Sequence, residues 1–222
     1  LDERYLDVPD QALECVRKEL KRQLMLVRSA TLDCLQLIFA YDEGKRKSIA
    51  YRELVINNLQ AEIVSYLWRV STGRLSQEMS TKLFAYTAMV DDIERIGNHV
   101  VTLADFSRHK DLRHISFSDM GKAELAEIGA LIQDNLEQAL KLIDAPDQGT
   151  IERILANENK VDQLVKESRD KHLERFYKRI CEAEAGPVFI EMLIHLERIS
   201  DHCENIAQYF QDLPEASFKI EK

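Results

Sequence analysis

The amino-acid sequence predicts an all-α protein made of two tandem antiparallel three-helix bundles. Three observations lead there. The chain has only seven Gly and four Pro in 222 residues, about half of average usage, whereas a β-sandwich or barrel needs many turn residues. These few breakers divide the chain into six long segments. Within the segments apolar residues recur at three- and four-residue steps, the period of one helix face.

The first helix is predicted from about Pro9, a first-turn proline, to Tyr41, where Asp42-Glu43-Gly44 ends it. The second runs from about Lys45 to Ser71 and stops at Thr72-Gly73. Ser76 is the N-cap candidate of the third, which continues to about Ser107. A polar stretch, Arg108 to Ser116, then joins the two halves, giving repeats over 1–112 and 113–222. Ser116 with Asp119 resembles a capping arrangement for the fourth helix, which ends near Asp144-Ala145-Pro146. The fifth runs from about Thr150 to Ala183, and Gly186-Pro187 separates it from a sixth reaching about Asp212. In that last segment Phe189, Met192, Leu193, Leu196, Ile199, Cys203, Ile206, Ala207 and Phe210 form one apolar stripe. Trp68, Phe84 and Tyr86 also stand at core-like spacing. Helices of about 25 to 33 residues are about 37 to 50 Å long, and short connections between them make antiparallel neighbours.

Composition narrows the function classes. Hydrophobic residues at 45% and charged residues at 31% describe a packed chain rather than a disordered one. A net charge of −9 disfavours nucleic acid as a partner and suits cations. The longest stretch without a formal charge, Ile96 to Ala104, is nine residues; a membrane span needs about 20, so no direct membrane insertion is expected. A chain that begins at Leu1 without an apolar signal segment reads as a processed product or a piece of a longer protein. Cys15, Cys34, Cys181 and Cys203 show no Cys-x-x-Cys spacing and fall inside helical patterns, which points to a reducing, cytosolic compartment.

An internal repeat carries the candidate chemistry. The third helix reads Asp-Asp-Ile-Glu-Arg-Ile-Gly-Asn-His from Asp91 to His99, and the sixth reads Ile-His-Leu-Glu-Arg-Ile-Ser-Asp-His from Ile194 to His202, an offset of 103. Glu53, Asn57 and Glu62 of the second helix match Glu158, Asp162 and Glu167 of the fifth at an offset of 105. Each copy therefore holds two Glu-x-x-x-Asp/Asn pairs: Glu53/Asn57 and Glu94/Asn98 in the first, Glu158/Asp162 and Glu197/Asp201 in the second. Two carboxylates one turn apart repel by a few tenths of a kcal/mol, and a bound cation reverses that sign. Two facing helices would supply an oxygen-rich site for a hard or borderline divalent ion. Asn57 and Asn98 offer neutral carbonyls, so the first copy is the weaker candidate. The plainer reading is a solvated face. Asp170/Glu174 has the same spacing with nothing to suggest metal, and Arg95 and Arg198 stand beside the acids. Wheel geometry puts Glu197 and Asp201 outside the apolar stripe of the sixth helix, and Glu158 and Asp162 nearer that of the fifth. His99 and His202 recur at equivalent positions, where packing or hydrogen bonding is the ordinary role of a lone imidazole; His195 and His172 carry less still.

Two three-helix units, each with Glu-Arg-Ile-x-Asp/Asn-His on its last helix, resemble the PhoU family of bacterial phosphate-uptake regulators over essentially the whole chain. The resemblance implies metal ions, iron or zinc, held by Glu158, Asp162, Glu197 and Asp201. It leaves Glu53 and Glu94 as partial remnants, since Asn57 and Asn98 depart from the family's Asp. The opening segment, Leu1 to Glu14, is similar to the stretch that joins the membrane part of sodium/phosphate cotransporter-like proteins to a cytosolic PhoU-like tail. The implied function is a non-catalytic regulatory module at the inner face of the membrane. Its partner would be a transmembrane phosphate transporter domain, in cis or as a separate protein, and long helix faces leave a homo-oligomer open. A free-standing regulator and a metal-independent adaptor are the alternatives. A ferritin-like di-iron enzyme is disfavoured, because Glu94/His99 and Glu197/His202 are five apart where Glu-x-x-His pairs are required. Gly44-Lys45 lacks the remaining residues of a phosphate-cradling loop.

Overall fold

The computed structural model describes residues 1–213. After a single 3-10 turn, Glu3–Tyr5, six α-helices follow: α1 (Pro9–Phe39), α2 (Glu43–Ser71), α3 (Gln77–Leu112), α4 (Asp119–Asp144), α5 (Gln148–Tyr177) and α6 (Ala185–Gln211). α1 to α3 pack on one another as one bundle and α4 to α6 as the second. The bundles meet along two helix pairs, α3 against α6 and α1 against α4. Among the described residues no helix is long and apolar enough to cross a membrane.

The ends of the helices show which local signals acted. Ser76 caps α3 as expected, accepting the Met79 N–H at 3.2 Å. The two bundles share an Asp-x-Gly entry into their second helix. Asp42 accepts the Lys45 N–H at 2.7 Å and Asp147 accepts the Thr150 N–H at 2.9 Å. Asp42-Glu43-Gly44 therefore begins α2 rather than only ending α1. α4 is capped by Ser118, which accepts the Gly121 N–H at 3.2 Å, and not by Ser116. Pro187 sits inside the first turn of α6 instead of before it; a proline there forfeits no helical hydrogen bond.

Two helix ends depart further from expectation, for one reason. α3 continues to Leu112, past Ser107, and α5 stops at Tyr177, short of Ala183. Both close with a non-glycine residue in the left-handed region, His114 (φ 53°) and Arg179 (φ 55°). In each the next N–H reaches back over the last turn, Ile115 to Lys110 C=O and Ile180 to Arg175 C=O, both at 2.9 Å. That is the usual helix-terminating pattern, met here without the glycine that normally signals it. Cys181 consequently lies in the turn after α5, not in a helix, and all four thiols are free.

The core is aliphatic, with Phe189, Leu13, Leu24, Ile56, Ile93 and Met89 among its fully buried side chains. Tyr86 joins it, but Trp68 and Phe84 do not: they are 69% and 71% exposed. Their helices turn other residues inward, Leu67 and Val70 beside Trp68, Leu83 and Tyr86 beside Phe84. Across the bundles, Arg17 donates to the Ile143 C=O at 2.9 Å, and Lys21–Asp144 and Arg28–Glu137 pair at 2.6 Å. α1 and α4 approach so closely that a Cβ on Gly129 would stand 3.0 Å from Leu35 Cδ2.

Candidate metal centre

The second bundle brings three of the predicted carboxylates together. α5 carries Glu158 and Asp162 one turn apart, and α6 lays Asp201 against them; one oxygen of each lies within 4.8 Å of the others. Glu158 is 7% exposed, Asp201 is half-buried and Asp162 is open to solvent. Among the described residues no ion pair and no N–H donor meets Glu158. Asp201 takes one, from Arg198 at 3.1 Å. Burial first, then repulsion from Asp162, Glu204 and Asp201, pushes the Glu158 carboxyl up to about 7. Three carboxylate oxygens within 4.8 Å of one another, one of them on a buried group short of positive charge, could hold a hard or borderline divalent cation. An all-oxygen donor set suits iron, manganese or magnesium better than zinc, whose usual protein ligands include nitrogen or sulfur.

Glu197 stands apart from these three. Its Oε2 accepts from Arg169 Nη2 at 2.7 Å, a half-buried ion pair between α6 and α5. A further acid, Glu204, stands three residues beyond Asp201 on the same helix, outside that trio. Its carboxyl is held above the ordinary range by burial, then by Asp201, with Asp162 adding to it.

In the first bundle the corresponding pairs are satisfied within their own helices. Asn57 Nδ2 donates to Glu53 Oε1 at 2.5 Å and Asn98 Nδ2 to Glu94 Oε1 at 2.7 Å. Among the described residues the second-bundle trio is the one group of at least three such side chains that could hold an ion.

The recurring histidines lie between the bundles, not at the acids. His99 Nδ1 and His195 Nδ1 are 2.9 Å apart, and His202 Nδ1 meets Asp92 Oδ1 at 2.6 Å, with Asn205 also donating to Asp92 at 3.1 Å. His99 and His202 stack at 5.5 Å. Under the 103-residue offset Asp92 corresponds to His195 and His99 to His202. The two contacts are therefore images of each other about a pseudo-two-fold axis between α3 and α6. Burial first, then His195 and His202, lowers His99 to about 4 and keeps it neutral.

Fold and site define a class: a duplicated three-helix protein with an oxygen-lined acidic cluster between the second and third helices of its second repeat. The PhoU domain matches this chain twice, over residues 20–106 and 125–210, and the chain belongs to the PhoU family. Similar curated proteins include the phosphate-specific transport system accessory protein PhoU homologues of Clostridium acetobutylicum and of Synechocystis sp. The first is 22% identical, covering 88% of this chain and 89% of the relative. The second is 27% identical, covering 90% and 88%. Among solved structures, PhoU from Pseudomonas aeruginosa superposes with a TM-score of 0.86 at 22% identity, over 91% of this chain and 97% of that one. The phosphate transport system regulatory protein PhoU from Streptococcus pneumoniae does so at 0.82 and 17% identity, over 94% and 97%.

Proposed function

We propose that this protein is a non-catalytic regulator of phosphate transport that binds a divalent metal ion through Glu158, Asp162 and Asp201. The observation that carries the regulatory reading is the double PhoU match across both bundles, together with relatives named as accessory proteins of phosphate-specific transport. The metal reading is supported by the converging carboxylates of α5 and α6. Its partner is a transmembrane phosphate transporter, joined in cis or separate, which puts the protein in the cytoplasm against the membrane. Regulation of this kind requires different affinities for two transporter states. A cation shared by α5 and α6 would fix the relation of those helices and so the surface they present. The opening segment that resembles a transporter linker is docked on α2: Tyr66 Oη donates to the Asp2 C=O at 2.7 Å, and Arg69 pairs with Glu3 at 2.7 Å.

Radiolabelled phosphate uptake, measured in cells lacking this chain and in cells given back either the parent or an Asp162→Asn/Asp201→Asn variant, tests both parts. Loss of the normal response of uptake to external phosphate, restored by the parent, supports regulation. Failure of the variant to restore it supports the metal site. Uptake that responds identically in all strains would refute the proposal.

A further inference from the structure

The last turns of α5 are inside out. Earlier in the helix Ile151, Ile154, Val161 and Val165 turn toward the core, but beyond Val165 the inward positions are Ser168, His172 and Arg175, all more than nine-tenths buried. The apolar residues of the same stretch point outward: Leu173, Phe176, Tyr177 and, in the turn that follows, Ile180 are all exposed, Tyr177 to 81%. A helix packed on a core normally has the reverse polarity. The inward half has its explanation within the chain, because Glu124 of α4 takes both terminal nitrogens of Arg175 at 2.7 Å. The outward half has none, and a grouped apolar surface of this kind marks a place of contact.

The same end of the molecule is basic. Arg175 ties the end of α5 to the start of α4, and Phe117, in the α3–α4 connection, meets Phe189 of α6 edge-on at 5.4 Å. The α3–α4 and α5–α6 connections therefore stand side by side. Residues 108–122 and 171–182 hold eight Lys and Arg against four Asp and Glu, in a chain with 30 against 39. Arg108, Arg113 and Arg179 are exposed and form no ion pair among the described residues. Leu112 and Met120, on either side of the α3–α4 connection, are exposed as well.

Deepening the regulatory reading above, which sets the protein against a membrane, we infer that this end binds the surface of an anionic lipid bilayer. Phe176, Tyr177 and Ile180 sit among the headgroups, and Arg113, Lys178 and Arg179 meet lipid phosphates. Exposed aromatic and aliphatic side chains interleaved with Lys and Arg are the composition of an interfacial contact, and Tyr has the apolar ring and polar tip found at that depth. The patch is built from helix ends and turns, which project toward a flat surface; a partner's helix would call for a groove. Charge sets the orientation, because an anionic surface attracts this end and repels the remainder of a chain of net charge −9. The contact is peripheral and needs no helix to cross the bilayer.

Co-sedimentation of the full chain with vesicles tests the proposal. The parent is expected to pellet with phosphatidylglycerol and to stay in solution with phosphatidylcholine. Arg113→Gln/Arg179→Gln should weaken binding at least tenfold, since each basic residue at such a surface strengthens it about fivefold, and Phe176→Ser/Tyr177→Ser should weaken it comparably. Phe84, equally exposed but about 40 Å back along α3 from Leu112, is the control, and Phe84→Ser should bind like the parent. Trp68, the chain's one tryptophan, stands beyond the other end of that helix, on α2. Brominated phosphatidylglycerol should leave its fluorescence unchanged and quench the emission of Trp68→Phe/Tyr177→Trp. A parent that pellets with neither lipid, or equally with both, overturns the proposal, as does quenching of Trp68 or an equal loss in Phe84→Ser. None of these outcomes touches the regulatory reading, which phosphate uptake decides.

Discussion

Replacing Glu158 with Gln keeps the shape of the side chain and removes its charge, so in metal-free protein it isolates the electrostatic strain among the three carboxylates. The Glu158 carboxyl is pushed from 4.5 to about 7. A folded-state pKa above the unfolded one means that the folded protein binds more protons between those values. The group then costs nothing at low pH and destabilises as pH rises through about 7. At pH 8 the full shift corresponds to about 3 kcal/mol at 1.36 kcal/mol per unit. Asp162 opens the cluster to solvent on one side, and screening reduces this to about 1–2 kcal/mol. For a chain of this size each kcal/mol moves the midpoint by about 2–4 °C. Metal-free Glu158→Gln should therefore melt about 2–8 °C above the metal-free parent at pH 8. At pH 5 the parent's own Glu158 is already protonated, and the gain should shrink to about a quarter. Added Mn²⁺ should reverse the order by raising the parent and not the variant. Scanning calorimetry on chelator-treated protein is the assay. A metal-free Glu158→Gln that melts at or below the parent at pH 8, or a gain that does not fall with pH, would refute the argument from crowded carboxylates.

Other consequences are equally open to measurement. Asp92→Ala strips the acceptor from His202 and Asn205 between the bundles, and should cost about 2–4 kcal/mol in urea unfolding; a loss below 0.5 kcal/mol would show, by that scale, that the pair is idle. Gly129→Val drives branched carbons into Leu35 and should cost about 1–3 kcal/mol. Gly129→Ala should sit near neutral, because about 1 kcal/mol of helix propensity offsets the squeeze, and equal losses for both would contradict a contact of this tightness. His99 is held neutral with its pKa lowered to about 4. Its folded-state value lies below the unfolded 6.5, so the unfolded chain takes up the proton first and stability falls as pH drops from about 6.5 toward 4. Melting midpoints of the parent and of His99→Gln should diverge at neutral pH and converge as the pH is lowered through that window. Curves that stay parallel would count against this reading.

What could be read in the sequence followed from periodicity and duplication. Six helices were legible because breakers are few and because α6 repeats its apolar stripe from Phe189 to Phe210. The helix ends at Leu112 and Tyr177 were not, because His114 and Arg179 adopt a backbone conformation that glycine would have advertised. Trp68 and Phe84 were misplaced because aromatic spacing alone does not say which of two helix faces turns inward; neighbouring Leu67 and Leu83 occupy the core instead. At the candidate site, the four-residue spacing picks out Glu158, Asp162 and Asp201, which lie together, whereas the surroundings of Glu197 depend on what stands opposite it. Arg169 on α5 decides for Glu197, and nothing within α6 reveals that.

The crossed contacts at the pseudo-two-fold axis also bear on how the halves recognise each other. Two copies of the first half, brought together the same way, would make two carboxylate–imidazole contacts, Asp92 to His99 each time. Two copies of the second would make two imidazole–imidazole contacts, His195 to His202. The joined chain makes one of each. The axis contacts alone favour self-pairing of the first half; mixed pairing has in its favour the α1–α4 contacts of Arg17, Lys21 and Arg28 with Ile143, Asp144 and Glu137 and the short connection from Arg113 to Ser118, which keeps the second half at a high local concentration. Cut at that connection, the protein would become a competition between a symmetric dimer and its native partner. The covalent link acts here as a stoichiometry device as much as a spacer.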